Sequence, residues 1–161
     1  ALSVSDYKYV GKNGALFVFS SVQSDNYASF VYTVTNVTID SVYAQEGGAF
    51  YFNKKSTVTS FHPTSVTLSE ITVKNSFSYS AGMMYLYSGG QTVSMTNSLF
   101  SSNSGVTKEA DLRVVSSGSL LISSTTFTLF TSNSDKGQSI SFFMSTPLSF
   151  TVEFYSVVVK C

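Results

Sequence analysis

Apolar and polar residues alternate along this chain with a period of two, the pattern of strands that bury one face. In Leu16-Phe17-Val18, Phe50-Tyr51-Phe52 and Met84-Tyr85-Leu86 the outer residues of each triplet share a face. That places Leu16, Phe50 and Met84, with Val18, Phe52 and Leu86, on the inside. Val37 and Ile39, with Ile71 and Val73, make a second inward set, and Tyr9, Tyr43 and Phe77 extend it in phase. β-branched and aromatic residues dominate these segments, and no stretch carries the period of a helix. The alternation predicts an all-β protein.

The segments also recur. An aromatic residue is followed five positions later by glycine at Tyr9/Gly14, Tyr43/Gly48, Phe77/Gly82 and Phe100/Gly105, with a looser copy at Phe130/Gly137. The glycines follow one another at offsets of 34, 34, 23 and 32. Such a unit cannot bury its apolar face alone and must stack on its neighbours. The expectation is one domain over residues 1–161, a right-handed parallel β-helix of about five coils. Successive strands would lie about 4.8 Å apart, with the five glycines near one vertical line and Tyr9, Tyr43 and Phe77 stacked as an internal ladder. The offset of 23 suits one coil, so the longer units should carry protruding turns at Ser20–Ser29 and Asn53–Ser65. A β-sandwich is the structural alternative, but it gives no reason for positions at an offset of 34 to match in type.

Charge enters as a check on register. At an offset of 34, Lys12 falls over Glu46 and Asp40 over Lys74, while Asp6 over Asp40 is a like-charge mismatch. Only 11% of the residues are charged, with nine basic side chains against nine acidic ones. That balance argues against nucleic acid as a partner, which needs clustered Lys and Arg, and against attachment to an anionic membrane. No apolar run is long enough to insert in a bilayer. Polarity comes instead from the many serines and threonines.

The phased repeats, with Phe100-Ser-Ser-Asn103, Phe130-Thr-Ser-Asn133 and Gly47-Gly48-Ala49-Phe50, resemble those of polymorphic outer membrane proteins and related pectin-lyase-like β-helices. They are also similar to the large repeat-bearing surface proteins of ciliates. The resemblance implies a right-handed parallel β-helix at a cell surface, used for adhesion or as a stalk. It also implies an asparagine ladder through Asn103 and Asn133.

Catalysis on such a scaffold needs carboxylates gathered on one face. Glu109, Asp111 and Arg113 fall on one side of a strand, with alternate side chains about 7 Å apart, a separation that suits paired carboxylates in glycoside hydrolysis. No other unit adds a carboxylate in that register, so the reading is non-enzymatic, with a carbohydrate-active lyase or hydrolase as the alternative. His62 is the only histidine and precedes Pro63 in an expected turn. Neither metal-ligand spacing nor a cofactor motif is present, so no metal site and no cofactor are expected. Phe17, Tyr51 and Tyr85 occupy an outward register. They form either an interaction strip, with glycans as one partner, or a strip covered by the protruding turns. Thr33-Val34-Thr35, Thr57-Val58-Thr59 and Thr92-Val93-Ser94 invite an ice-binding reading, but their spacings of 24 and 35 are not one copy per coil. Asn36-Val37-Thr38 is the single N-glycosylation sequon, and inward Val37 turns Asn36 outward.

Taken together, the sequence points to a non-catalytic module outside the cell or on its surface, a stalk, filament subunit or adhesive surface. A stack of coils exposes unpaired backbone at each end. Those ends are expected to meet either flanking domains of the same chain or identical subunits stacked head to tail. Cys161 would stand at such a junction, placed for a disulfide to a neighbouring domain or subunit.

Overall fold

The computed structural model describes residues 1–5, 16–22, 30–46, 48–55, 64–80, 82–88, 91–105, 112–115, 118–128, 131–132, 140–143 and 151–160. The chain opens with β1 (Leu2–Ser5) and β2 (Phe17–Val22). Next come β3 (Phe30–Asp40), β4 (Tyr43–Glu46) and β5 (Phe50–Lys55), then β6 (Thr64–Lys74), β7 (Phe77–Ser80) and β8 (Met84–Ser88). A fourth group holds β9 (Gln91–Thr96), β10 (Leu99–Ser101), β11 (Ser104–Gly105) and β12 (Leu112–Val115). A fifth holds β13 (Gly118–Ser123), β14 (Thr126–Thr128), β15 (Thr131–Ser132) and β16 (Ile140–Phe143), and β17 (Thr151–Tyr155) and β18 (Val158–Lys160) close the series.

The protein is all-β and built from parallel sheets. One sheet holds β1 and β3 and runs on to β6, whose first half pairs with β9, followed by β13 and β17, and whose second half pairs with β10, followed by β14 and β18. A second carries β4, β7, β11 and β15, and a third β2, β5, β8, β12 and β16. Each strand pairs in parallel with the equivalent strand one repeat away, as in Val37 with Ile71 and Phe100 with Phe127. The antiparallel ladders that a β-sandwich requires do not occur among the described residues.

The repeat length is not constant. Val37 pairs with Ile71 at an offset of 34, Val73 with Phe100 at an offset of 27, and Phe127 with Val159 at an offset of 32. The shortest offset between paired layers is therefore 27 and not 23. Nearly all the variation falls between the third sheet and the first. Seven residues separate β2 from β3 and eight separate β5 from β6, whereas two separate β8 from β9 and two separate β12 from β13. Most of the two segments expected to protrude, Ser20–Ser29 and Asn53–Ser65, lies outside the described residues, and strand structure runs into both, through Val22 in one and Lys55 in the other. A further seven-residue connection precedes β17.

The glycine line holds only in part. Gly48 donates its N–H to the Gly82 carbonyl at 2.8 Å, but Gly105 pairs with Ser78 and Ser132, four positions out of line. Gly14 and Gly137 lie outside the described residues. Gly48 is needed for close approach, since a Cβ there would stand 2.7 Å from Met83 Sδ. Gly82 is needed for its left-handed φ of 69°.

Two columns of left-handed residues bend each repeat. Asn36, Glu70, Asn97, Ser124 and Ser156, with φ between 47° and 55°, align in register along the first sheet. Ser41, Asn75 and Ser102 form the second column. Each such residue takes up one position without joining the alternation, as a bulge does, and so reverses which residues face inward. Ile39 and Val73 are buried; past the bend, Val42 and Ala44 are buried while Tyr43 is 36% exposed. Tyr43 and Phe77 therefore stack as expected, with centroids 4.7 Å apart and planes 7° from parallel, but on the outer face and not inside the core. Tyr9 lies outside the described residues.

The core is a set of vertical columns. Ile39, Val73, Phe100 and Phe127 form one, with the two phenyl rings stacked at 5.1 Å. Leu68, Met95 and Ile122 form another, and all seven are fully buried.

Hydroxyl groups line the inner corners. Ser76 Oγ donates to the Lys74 carbonyl at 2.8 Å and accepts the Val42 N–H at 3.1 Å. Ser98 Oγ does the same between the Thr96 carbonyl and the Ile71 N–H, and Thr125 Oγ1 donates to the Ser123 carbonyl. A bend leaves a backbone donor off the ladder, and a hydroxyl just past the left-handed residue supplies its acceptor.

Candidate functional site

Asn36 is the first residue of the left-handed column on the first sheet. Its side chain is exposed, Val37 after it is buried in the core, and Thr38 returns to the outer face half-buried. The outward placement of Asn36 and Thr38 follows from the bend. Asparagine tolerates the left-handed conformation because its short polar side chain can bond locally.

The candidate aromatic strip does not form as one row. Phe17 pairs with Phe50, at an offset of 33, so the residue in register with Tyr51 is Val18. Tyr51 does pair with Tyr85, at 5.1 Å between centroids, but Tyr51 is only 6% exposed and Tyr85 is half-buried. Phe50 and Tyr51 are therefore both buried, on opposite faces of one strand. Exposed aromatic residues lie instead on the second sheet, where Tyr79 joins Tyr43 on the outer face, and on β17 of the first sheet, at Phe154 and Tyr155. Sequence reasoning missed Tyr43 and Tyr79 because it carried the alternation straight through the bend at Ser41 and Asn75.

Threonine and serine rows do form, but not from the three Thr-x-Thr motifs in register with one another. Thr33-Val34-Thr35 pairs with Thr67-Leu68-Ser69, which pairs with Ser94-Met95-Thr96. Thr92-Val93-Ser94 lies instead against Ser65-Val66-Thr67. Ser69 Oγ donates to Thr35 Oγ1 at 2.8 Å, so neighbouring layers share hydroxyl bonds along a row. The row through Thr33, Thr67 and Ser94 continues as Leu121 and Glu153. Thr57-Val58-Thr59 lies outside the described residues.

Charge gathers at the second bend. Lys74 Nζ stands 3.1 Å from Asp40 Oδ2, and Asp40 Oδ1 accepts from Asn75 Nδ2 at 2.9 Å and Ser41 Oγ at 3.1 Å. The Asn75 hydrogen bond, followed by that from Lys74, holds the Asp40 carboxyl below its usual range. The expected like-charge contact is absent from the register, because Ser5 and not Asp6 pairs with Asp40. Lys12, which was expected over Glu46, lies outside the described residues.

Arg113 sits on β12 in register with Tyr85 and Ser141. Glu109 and Asp111, expected on its face, lie outside the described residues, as do His62, Cys161 and Asn133. Among the described residues there is no group of three or more His, Cys, Asp or Glu that could hold a metal ion. Asn103 is fully buried, accepts the Ser76 N–H at 3.1 Å and donates to the Val73 carbonyl at 3.0 Å. The residue one layer away from it is thus Ser76, and Phe100 is in register with Phe127 and not Phe130.

The two end layers differ from the rest. Val159 is in register with buried Phe127 and Phe154 with buried Ile122, yet they are 52% and 44% exposed. At the other end Leu2, in register with buried Val37, is 45% exposed. Each is the outermost described member of an inward column. Among the described pairings, β17 pairs with β13 and β18 with β14. No protein-family model, no curated protein and no solved structure matches the chain.

Proposed function

We propose that this chain is a stretch of right-handed parallel β-helix that works without catalysis, as a structural or adhesive module outside the cell or on its surface. Parallel pairing at every repeat supports the β-helix, and the right-handed sense follows the strong preference of parallel crossovers. The observation that carries the role is in the outermost described layers, where Leu2, Phe154 and Val159 continue buried columns yet remain exposed themselves. Apolar ends of this kind associate with more protein, and a further layer of the same sort fits both the strand register and the core. Identical subunits joined head to tail make a contact that does not close and so propagates into a filament or stalk.

The test is the state of the purified chain at micromolar concentration, read by light scattering and electron microscopy. End-to-end particles should form, and Phe154→Asp and Val159→Asp should return them to monomers with unchanged circular dichroism. A monodisperse wild-type monomer would overturn the end-to-end reading.

A further inference from the structure

We infer that Asn36 is an acceptor for an N-linked oligosaccharide, carried outward from the first left-handed bend of the first sheet. This rests on the proposal that the chain is exported, and it adds a chemical site to that reading. The bends make the argument. Asn75, Asn97 and Asn103 are each followed immediately by serine, and Ser76 and Ser98 are buried at the inner corners, where they accept backbone N–H groups from the neighbouring layer. Their hydroxyls stand one residue after asparagine and serve the fold. At Asn36 the inner-corner position is filled by buried Val37, and the hydroxyl stands two residues on, at outward Thr38. That is the spacing which glycosyl transfer to asparagine requires, and the local fold does not demand it.

The column itself supplies the comparison. Glu70, Asn97, Ser124 and Ser156 occupy the same bend in later layers. Asn97 satisfies the bend as well as Asn36 does, yet it is followed by Ser98 and Leu99 and so makes no acceptor triplet. Asn36 is exposed at the left-handed bend, so its amide faces outward and not into the core. The donor would be an oligosaccharide on a polyprenyl diphosphate, used by a membrane transferase of the export route. Asn36 Nδ2 forms a bond to the anomeric carbon, the bond from that carbon to the diphosphate oxygen breaks, and the lipid diphosphate departs. The amide proton passes to a base on the transferase, and no redox change occurs.

The experiment is secretion of the full chain from a eukaryotic host behind a removable leader, with intact-mass and peptide mapping. The wild-type chain should carry a glycan on Asn36 that amide-cleaving glycosidase removes, leaving aspartate at position 36. Thr38→Ala should abolish it and Thr38→Ser should keep it. Asn36→Gly, which retains the left-handed bend, should abolish it without loss of fold. A secreted wild-type chain of polypeptide mass alone would overturn the inference, and so would a glycan that survives Thr38→Ala. Because the leader forces export, this outcome is independent of where the natural protein resides. Surface labelling of the natural cells decides that separately.

Discussion

The middle layers and the outermost described layer contain the same columns and differ in how many described layers pack against them. Val73, Phe100 and Phe127 are fully buried, whereas Val159, next in their column, is half in water. Leu68, Met95 and Ile122 are likewise buried, and Phe154 beneath them is not. Strand alternation decides which way a side chain points, but burial comes from the neighbour one repeat away. An inward position is therefore only a promise of a core. Here it is kept where a described layer packs on both sides, and it is not kept at Leu2, Phe154 and Val159 in the outermost described layers.

The comparison breaks most visibly at Phe100. Phe100→Ala should remove a stacked ring from a closed column and destabilise the chain by about 3–5 kcal/mol, measured by denaturant unfolding. Val159→Ala, in the same column, should cost less than about 1 kcal/mol in the monomer, because the side chain is already half exposed. Equal losses would mean that the last layer is as well packed as the middle ones. Next in size is the glycine pair. Gly48→Ala forces its Cβ into buried Met83, and Gly82→Ala places a side chain at a φ of 69°. Each should cost roughly 1–2 kcal/mol by the same assay.

A smaller effect of opposite sign is expected at Glu70. It holds the left-handed position that Asn36 and Asn97 occupy in the neighbouring layers. Glu70→Asn should stabilise by roughly 0.5–1 kcal/mol, since asparagine suits that conformation better. A destabilised variant would show that Glu70 has a role beyond the bend. The smallest effect belongs to Asp40, which sits at the surface. Its folded pKa is depressed by Asn75 and Lys74, so its contribution is present above the unfolded carboxylate pKa. It is lost as pH falls through the lower folded value. Acid titration of the unfolding midpoint should show that loss in the wild type and not in Asp40→Asn. Identical profiles would remove Asp40 from the account.

Much of the architecture was legible in the residues themselves. Period-two patterning forces strands, and positions matched at an offset of 34, such as Val37 with Ile71 and Asp40 with Lys74, named partners that do pair. What misled was regularity assumed where the backbone bends. A left-handed residue is invisible to a count of apolar positions, yet it reverses the alternation, and so Tyr43 and Phe77 stack outside. Ser76 and Ser98 were lost among the many other serines, because a hydroxyl that accepts an N–H from the next layer leaves no periodic mark. A signal was present in the recurring Asn-Ser pairs at 75–76 and 97–98, which mark a bend and its inner hydroxyl.

By itself, then, the sequence determined that this chain is strands in a repeat, neutral in charge and polar through hydroxyls, with the triplet Asn36-Val37-Thr38. Those are properties of composition and local period, and they need no partner. Only the tertiary structure decided the register: that the offset between layers shortens from 34 to 27 at one corner, that Phe17 meets Phe50, and that Tyr51 is covered. Register depends on which residues face each other across layers. That is set by bends and connection lengths summed along the chain, and one residue gained at a bend changes every face that follows it.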